Sequence, residues 1–345
     1  MSKELRITDH IIGSNHPVYL IAEIGGNFRD FETAVRLIDL AKQAGVNAVK
    51  LQHYRAETIV SHKAIFDMEN TGVVSQYELF KKYEMSEQLT QDVIAYCCEK
   101  QITTFSTPSH QTDVDLLEKF NMPVYKIGSD DAVNIPLLKY VACLGKPIIL
   151  STGMCTLTEV QRAVDAILEE GNDQLALLHC VTNYPSHPES VNLKAMQTMQ
   201  AHFNFPVGYS DHTLGIDTCY AAAVLGAAIL EFHFTFDKNA DGPDHMLSKN
   251  FAETVELVSK VRQLPVLLGD GIKRPASSEM NTRRNNRKSL VLLRDVKTGE
   301  KITSQNMSIK RPGYGIPAEY YFNVLGKTAS HDLQAEEVLN WEDLT

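Results

Sequence analysis

Two short stretches place histidines at the ends of apolar runs. The first, GYSDHT, holds Ser210 and His212 after the apolar FPV, and the second, AILEFHF, holds Glu231 and His233. Because residues two apart share a face of a β-strand, each stretch presents a polar pair on one face. Two imidazoles with a carboxylate nearby suit a divalent metal, and two histidine ligands leave positions open for substrate and water. The pattern predicts a Lewis-acid metal site with His212 and His233 as ligands.

Polar side chains also follow the other apolar runs. A lone lysine at such a place usually extends to solvent, but two lysines with several hydroxyls and glycine-flanked amides suit a phosphate and a carboxylate. The sequence therefore predicts an anion site beside the metal. The polar residues at the ends of the runs are Glu23, Lys50, Gln52, Lys126, Ser129, Ser151, Thr182, Asn183, Tyr184, Ser210, His212, Glu231 and His233.

Two acidic residues in these stretches have structural alternatives. Glu231 either orients the metal ligands or is a strand carboxylate paired with a neighbouring lysine or arginine. Asp211 lies between two residues that share the opposite face, so we expect it to point outward and cap the following helix from Thr213.

Eight apolar runs alternate with amphipathic, helix-like stretches, several of which end in glycine. This α/β rhythm over roughly 250 residues predicts a (β/α)₈ TIM barrel, with a doubly wound open sheet as the alternative. The long segment 53–85 is expected to form a lid or an insertion with some helix on the active-site face. The runs are 18–25, 47–52, 103–107, 124–129, 147–153, 175–180, 206–212 and 228–234.

The pattern changes near residue 270. Residues 1–270 are predicted to form the catalytic barrel and residues 271–287 a polar linker. Residues 288–345 are predicted to form a module of short strands and turns, which is small for a core that stands alone, so we expect it to dock on something.

Composition excludes some classes of partner. The formal net charge is −10 over 345 residues, and the basic residues form only one local cluster, so we expect no nucleic-acid partner. No run approaches the roughly 20 apolar residues that span a bilayer, so no membrane is expected. The start shows no apolar signal region, and the six cysteines show no CxxC spacing. A cytoplasmic location with reduced thiols is expected.

Long runs of this chain resemble those of the sialic acid synthases (the N-acetylneuraminate synthase family) from end to end. The matching runs are IAEIGGN, AVKLQ, VSQYELFKKYEMS, TPSHQTDVDLLE, YKIGSDD, KPIILSTGM, HCVTNYP, VGYSDHTLG, LEFHFTFDKNADGPDH and KRPGYGI. The resemblance implies a TIM barrel with a C-terminal SAF (antifreeze-like) domain in a domain-swapped homodimer. It implies condensation of phosphoenolpyruvate with an N-acyl-mannosamine-type sugar and water, giving a nine-carbon 2-keto-3-deoxy acid and phosphate. Mn²⁺ is the usual metal, with Mg²⁺ a substitute.

The resemblance also assigns roles by motif. His212 and His233 look like the metal ligands, and Glu23 looks like the acid or base near the reacting centre. Arg311, in KRPG, looks like the arginine that the C-terminal domain inserts into the partner's site to hold the N-acyl end. The residues resembling the phosphoenolpyruvate site are Lys50, Lys126, Ser129, Ser151, Ser210 and Thr182 or Asn183. Those resembling the sugar site are Gln52, Tyr184 and Asp244.

Three departures from the family pattern concern the acceptor side. The family commonly has a glutamate after the fourth strand, where this chain has Asp130-Asp131, and Asp131 is the predicted replacement. The turn CVTNYP has two possible registers against the family pattern, and the loop RPGYGIPAEYY is shorter than the common form.

Several functions remain open at this stage. The nearest alternative is the same chemistry on a 2,4-diacetamido-trideoxyhexose, as in legionaminic or pseudaminic acid synthases, or on a spore-coat polysaccharide sugar. A metal-dependent barrel hydrolase is more distant, because the chain lacks a His-x-His at the first strand. An ice- or carbohydrate-binding module on an inert barrel is disfavoured by the intact set of polar residues at the strand ends.

Overall fold

The chain is described from a computed structural model that covers residues 3–69 and 71–345. It divides into two compact units, Met1–Leu268 and Gly269–Thr345. No helix in the described residues is long and apolar enough to cross a membrane. All six cysteines are free thiols.

The first unit is a closed barrel of eight parallel strands, which confirms the predicted TIM barrel and excludes the open sheet. Around the barrel the strands follow one another in sequence order, and the last barrel strand pairs with the first. Helices face the barrel from outside, so its strands are buried on both faces and read as nearly continuous apolar runs. The strands of this unit are β1 (Leu5–Ile7), β2 (His10–Ile12), β3 (Tyr19–Glu23), β4 (Ala48–His53), β5 (Ile65–Met68), β6 (Gly72–Ser75), β7 (Thr103–Pro108), β8 (Tyr125–Ile127), β9 (Ile148–Ser151), β10 (Leu175–Cys180), β11 (Val207–Asp211) and β12 (Ile229–His233).

Helices connect successive barrel strands, and local sequence sets their ends. Asp30 caps the first helix by accepting from Thr33 N at 2.8 Å, and Gly45 ends it in the left-handed conformation. The helices are α1 (Phe31–Ala44), α2 (Ala56–Ile59), α3 (Gln76–Tyr83), α4 (Glu87–Glu99), α5 (Gln111–Glu118), α6 (Ile135–Ala142), α7 (Leu157–Glu169), α8 (Pro188–Val191), α9 (Lys194–His202), α10 (Asp217–Val224) and α11 (Phe251–Leu268).

Two parts of this unit lie outside the repeating βα pattern. The segment 53–85 contains α2, the antiparallel hairpin β5–β6 and α3, as expected for an insertion with some helix. The N-terminal hairpin β1–β2 was not predicted, because its strands have only three residues each. Its apolar side chains Leu5, Ile7 and Ile12 nevertheless belong to the barrel's buried core.

The second unit has a core of its own. Strands β13 (Ser289–Leu292) and β14 (Met307–Lys310) pair antiparallel. Their apolar side chains pack with Val296, Ile302 and Leu339, among others, in a separate buried cluster. The unit also contains α12 (Met280–Asn286) and α13 (Tyr321–Val324). The segment expected to be a linker, 271–287, therefore contains one short helix, and its residues are exposed.

The barrel leaves no room for a side chain at Gly208 in β11. A Cβ there would lie 2.3 Å from the carbonyl oxygen of Ile229 in β12 and 2.8 Å from Leu178 Cδ2 in β10. We expect Gly208→Ala to lower the free energy of unfolding by about 3 kcal/mol, since backbone cannot move aside cheaply. Urea denaturation measures the change.

Gly13→Ala is the control, because its nearest neighbour, at 3.3 Å, is the flexible side chain of Glu4. Its free energy of unfolding should stay within about 0.5 kcal/mol of wild type. Equal stability of the two variants would contradict this packing.

Candidate active site

A cavity of about 540 Å³ opens where the barrel strands end. Since the carboxyl ends of parallel strands meet at one face of a TIM barrel, the strand-end residues converge there. Most of the residues predicted from sequence line this cavity. They are Lys50, Gln52, Lys126, Ser129, Ser151, Thr182, Tyr184, Ser210, His212, His233 and Asp244.

Four predicted residues are placed elsewhere. Glu23 is buried next to Lys50 and is not among the described residues that line the cavity. Asn183 is exposed, and its carbonyl accepts a hydrogen bond from Ser186 Oγ. Arg311 is an exposed residue of the second unit. Asp131 lies beside the cavity, and the neighbouring Asp130 lines it instead.

Two buried lysines and one buried glutamate line the floor of the cavity, and a second buried glutamate pairs with one of these lysines from behind. Lys50 Nζ contacts Glu23 Oε2 and lies 3.7 Å from Glu231 Oε1. Lys126 Nζ lies 3.8 Å from the same Glu231 oxygen, which also accepts from Ser210 Oγ at 3.1 Å. Glu231 is therefore paired with both lysines, so the ion-pair interpretation of this residue holds. Glu231 Oε2 has no hydrogen-bond partner among the described residues.

Burial and neighbouring charges act in opposite directions on these lysines. Burial lowers the pKa of Lys50, but the Glu23 and Glu231 carboxylates more than offset this and raise it above its usual value. Burial also lowers the pKa of Lys126, where Glu231 opposes the shift and Lys50 adds to it, so that the pKa stays below its usual value. Lys126 is thus the ammonium whose charge is easier to lose.

Hydroxyls and amides surround Lys126. Its Nζ donates to Ser151 Oγ at 2.7 Å and to the carbonyl of Ile127 at 2.9 Å. Ser129 Oγ accepts from Gly153 N at 2.9 Å. A Cβ at Gly153 would lie 2.7 Å from Thr182 Cγ2, so only glycine lets the backbone approach this closely. The arrangement is typical of an anion-binding cradle.

The two histidines lie side by side, with ring centroids 5.2 Å apart. His212 Nδ1 donates to the carbonyl oxygen of Val181 at 2.6 Å, and His233 Nδ1 lies 3.3 Å from Asp244 Oδ2. At His212 this carbonyl fixes the tautomer that leaves Nε2 free to bind a metal, whereas His233 Nδ1 makes no hydrogen bond among the described residues. Tyr184 stacks on His212 at 4.1 Å between centroids.

The donor set fits a divalent cation with open positions. Among the described residues, no group of three or more His, Cys, Asp or Glu side chains is arranged to hold a metal. The two imidazoles would therefore supply the only protein ligands in the described part of the chain, and substrate and water would complete the shell. Such a site suits Lewis-acid chemistry.

The acidic pair after β8 has a local structural role. Asp131 Oδ1 accepts from Asn134 Nδ2 at 2.8 Å. Burial raises the pKa of Asp131 to about 6, with Asn134 opposing the shift and Asp130 adding to it. Asp130, and not Asp131, is among the described residues that line the cavity.

The cavity also has an apolar wall that was not predicted from the sequence. This wall comes from the segment 53–85 and includes Tyr54, Ile59, Ile65, Phe66 and Phe80. Phe80 contacts Tyr54 and Phe66 edge to face, with ring centroids 5.0 and 5.6 Å apart. No strand periodicity marks these residues, so only their position after the second barrel strand could have indicated a role.

Comparisons with known proteins identify the family of this chain. The NeuB family model matches residues 37–273, and the SAF domain model matches residues 287–345. The N,N'-diacetyllegionaminic acid synthase of Campylobacter jejuni is 39% identical over 93% of this chain and 98% of its own. The human N-acetylneuraminate-9-phosphate synthase is 31% identical over 95% and 93%.

A solved structure gives the same result. The N-acetylneuraminic acid (sialic acid) synthetase of Leptospira borgpetersenii, in complex with citrate, superposes with a TM-score of 0.74 at 32% identity. The match covers 82% of this chain and 95% of that one. The chain belongs to the NeuB family of sialic, legionaminic and pseudaminic acid synthases and ends in a SAF domain.

Proposed function

We propose that this protein condenses phosphoenolpyruvate with an N-acyl-mannosamine-type sugar and water to give a nine-carbon 2-keto-3-deoxy acid and phosphate. The observation behind the proposal is the pairing of an anion cradle around Lys50 and Lys126 with the His212–His233 pair in one cavity. The reaction needs both, since one substrate is an anion and the other presents an aldehyde.

The charge of the floor supports a divalent cation as part of the proposal. Lys50 and Lys126 are already balanced by Glu23 and Glu231. A phosphate and a carboxylate added to this neutral cluster need further positive charge nearby. Mn²⁺ or Mg²⁺ on the two histidines would supply it and, when bound, would polarise the sugar aldehyde.

The chain's own residues act on the substrates as follows. Lys50, Lys126 and the hydroxyls of Ser129 and Ser151 bind and orient phosphoenolpyruvate. Its carbon 3 bonds to the aldehyde carbon, whose oxygen takes a proton. Water adds at carbon 2, and phosphate leaves by cleavage of its bond to carbon 2, which becomes the ketone. Glu23 acts through Lys50, which it contacts and holds protonated.

We assign the second unit a role in binding the acceptor sugar. Arg311 would hold the N-acyl group of a sugar bound in the barrel of a second copy, in a domain-swapped homodimer. Family membership supports this role, as does the guanidinium, which is exposed on its own unit.

The apolar wall favours a trideoxy di-N-acyl acceptor over N-acetylmannosamine. Ile65, Phe66 and Phe80 offer no hydrogen bond to a terminal hydroxyl, but they suit a methyl group. Among the described residues that line the cavity, Lys50 and Lys126 are the only lysines or arginines. Both belong to the anion cradle, so a phosphate on the sugar's far end would lack a cation in this unit.

Phosphate release tests the reaction. With phosphoenolpyruvate, Mn²⁺ and an acceptor sugar, the purified enzyme should release phosphate, and chelation should stop it. His233→Ala should lower kcat at least about 100-fold, because one of two protein ligands is lost. The control is His179→Gln, a barrel-strand histidine bonded to the carbonyl of Val191 and not among the described cavity-lining residues. Wild-type turnover by demetallated and re-metallated His233→Ala would refute the ligand assignment.

A panel of acceptors tests the wall. We expect 2,4-diacetamido-2,4,6-trideoxymannose to give a kcat/KM at least about 10-fold above that of N-acetylmannosamine. A factor of about 10 is the low end of the discrimination that a small apolar group gives in an apolar pocket. N-acetylmannosamine 6-phosphate should not react. Phe66→Gln should reduce the preference, while the exposed Val73→Gln, in the same hairpin but not a described lining residue, should leave it unchanged. A preference for N-acetylmannosamine would contradict the assignment.

The pH dependence of phosphoenolpyruvate binding tests whether Glu231 helps to keep Lys126 protonated. Protonated Lys126 binds the anion, so KM rises as the pH passes its pKa. Because Glu231 opposes the downward shift of that pKa, Glu231→Gln should move the rise in KM to lower pH. KM is measured from neutral pH to about pH 9.5. Glu118→Gln, which removes the partner of Lys146 outside the cavity, should leave the profile unchanged. Superimposable profiles for Glu231→Gln and wild type would show that Glu231 does not support Lys126.

A further inference from the structure

A third buried lysine lies outside the cavity floor. Lys249 Nζ donates to Asp211 Oδ2 at 2.6 Å, and the two side chains are 1% and 0% exposed. Neither residue is among the described residues that line the cavity. Replacing a buried ion pair with apolar residues is often neutral or stabilising, so stability alone is a weak explanation for such a pair.

The main chain of Lys249 is bonded to the end of β12. Lys249 N donates to the carbonyl of His233 at 2.8 Å, and its own carbonyl accepts from Thr235 N at 3.0 Å. Lys249 is thereby fixed against the strand that ends in His233.

The side chain of Lys249 reaches the residues on both sides of His212. Its Nζ contacts Asp211 and lies 3.5 Å from the carbonyl of Thr213. Asp211 Oδ1 in turn accepts from Thr213 N at 3.0 Å and from Thr213 Oγ1 at 2.9 Å. Asp211 points away from the barrel interior, as expected. The expected helix cap at Thr213 is wrong, because the next helix begins only at Asp217. Asp211 instead closes a turn around His212.

The strand ladder itself does not extend to His212. The last paired residues of β11 and β12 are Asp211 and Phe232, so His212 follows the end of its strand. On the β10 side it is held by Val181 O and by its own carbonyl, which accepts from Ser186 N at 2.9 Å. On the β12 side, the Lys249–Asp211 pair adds a side-chain link to the Asp211–Phe232 ladder pair, which joins the residues that precede the two histidines.

We propose that Lys249 and Asp211 are positioning residues that set the separation of His212 and His233. The proposal rests on the proposed function, in which these histidines hold a divalent cation. Lys249 contacts the surroundings of both histidines. Its main chain is hydrogen-bonded to His233, and its side chain contacts Asp211 and Thr213, the residues on either side of His212.

A double variant tests the pair. Either single change leaves a buried charge without its partner and is expected to impair folding. Asp211→Asn combined with Lys249→Met removes both charges, keeps an acceptor for Thr213 and nearly preserves volume. We expect this protein to fold, with a melting temperature near that of wild type. Its affinity for Mn²⁺, measured by titration calorimetry on the full chain, should fall about 10- to 100-fold. Its KM for phosphoenolpyruvate should change less than its kcat.

The control removes a more exposed ion pair from the same region. Lys238 and Glu253 join the segment after β12 to α11 at 2.7 Å and contact neither histidine. Lys238→Met with Glu253→Gln should leave Mn²⁺ affinity unchanged. Equal Mn²⁺ affinities of the folded Asp211/Lys249 double variant and wild type would overturn the proposal.

Imidazole ¹⁵N NMR separates this proposal from the proposed function. Wild-type His212 should show one tautomer with its proton on Nδ1, because Nδ1 donates to Val181 O. The Asp211/Lys249 double variant should show a tautomer mixture at His212, and the Lys238/Glu253 control should not. If wild type binds no Mn²⁺ and releases no phosphate, the proposed function fails, and the NMR result still decides the positioning role. An unchanged His212 spectrum in the double variant would overturn that role with or without metal.

Discussion

The structure of the site is governed by two buried lysine ammonium groups, whose positive charges must be balanced inside the barrel. Lys50 and Lys126 are buried, and a buried charge is tolerated only beside an opposite one. Glu23 lies opposite Lys50 in the β3–β4 ladder, while Glu231 comes from β12, which pairs with β3 only because the barrel closes. An open sheet would separate these strands. The charge balance of the buried lysines therefore depends on closure of the barrel, which brings Glu231 next to them.

The neutral floor also links the anion site to the histidine pair. His233 lies opposite Glu23 in the β12–β3 ladder, and Glu23 also contacts Lys50, so this carboxylate position adjoins one lysine and one histidine. Burial lowers the pKa of His233, but the carboxylate of Asp244 more than offsets this and holds the pKa above its usual value. The buried carboxylates Glu23 and Glu231 are paired with the two lysines, so the four side chains carry little net charge together.

The fold and the strand-end residues could be predicted from the sequence because both follow from local patterns. Eight apolar runs fix eight strands, and alternation decides which residue of each run faces the barrel. Predictions were less complete for residues whose positions depend on side-chain packing between elements distant in sequence. Glu23 lies behind Lys50, and Asp130 rather than Asp131 lines the cavity. Lys249 is far from Asp211 in sequence and sits in no strand, so no periodicity could pair them.

The two sides of the cavity are built from different kinds of element. The lysines, serines and histidines extend from barrel strands or the residues next to them, where the parallel ladders limit any change in position. The apolar wall comes from the hairpin and helices of segment 53–85, which contribute no strand to the barrel. Substitutions in that segment can alter the wall without moving the floor. Relatives of this chain with sequences 31 to 39% identical are named for legionaminic, pseudaminic and sialic acid products. In this chain the wall and the floor belong to separately built parts of the barrel unit.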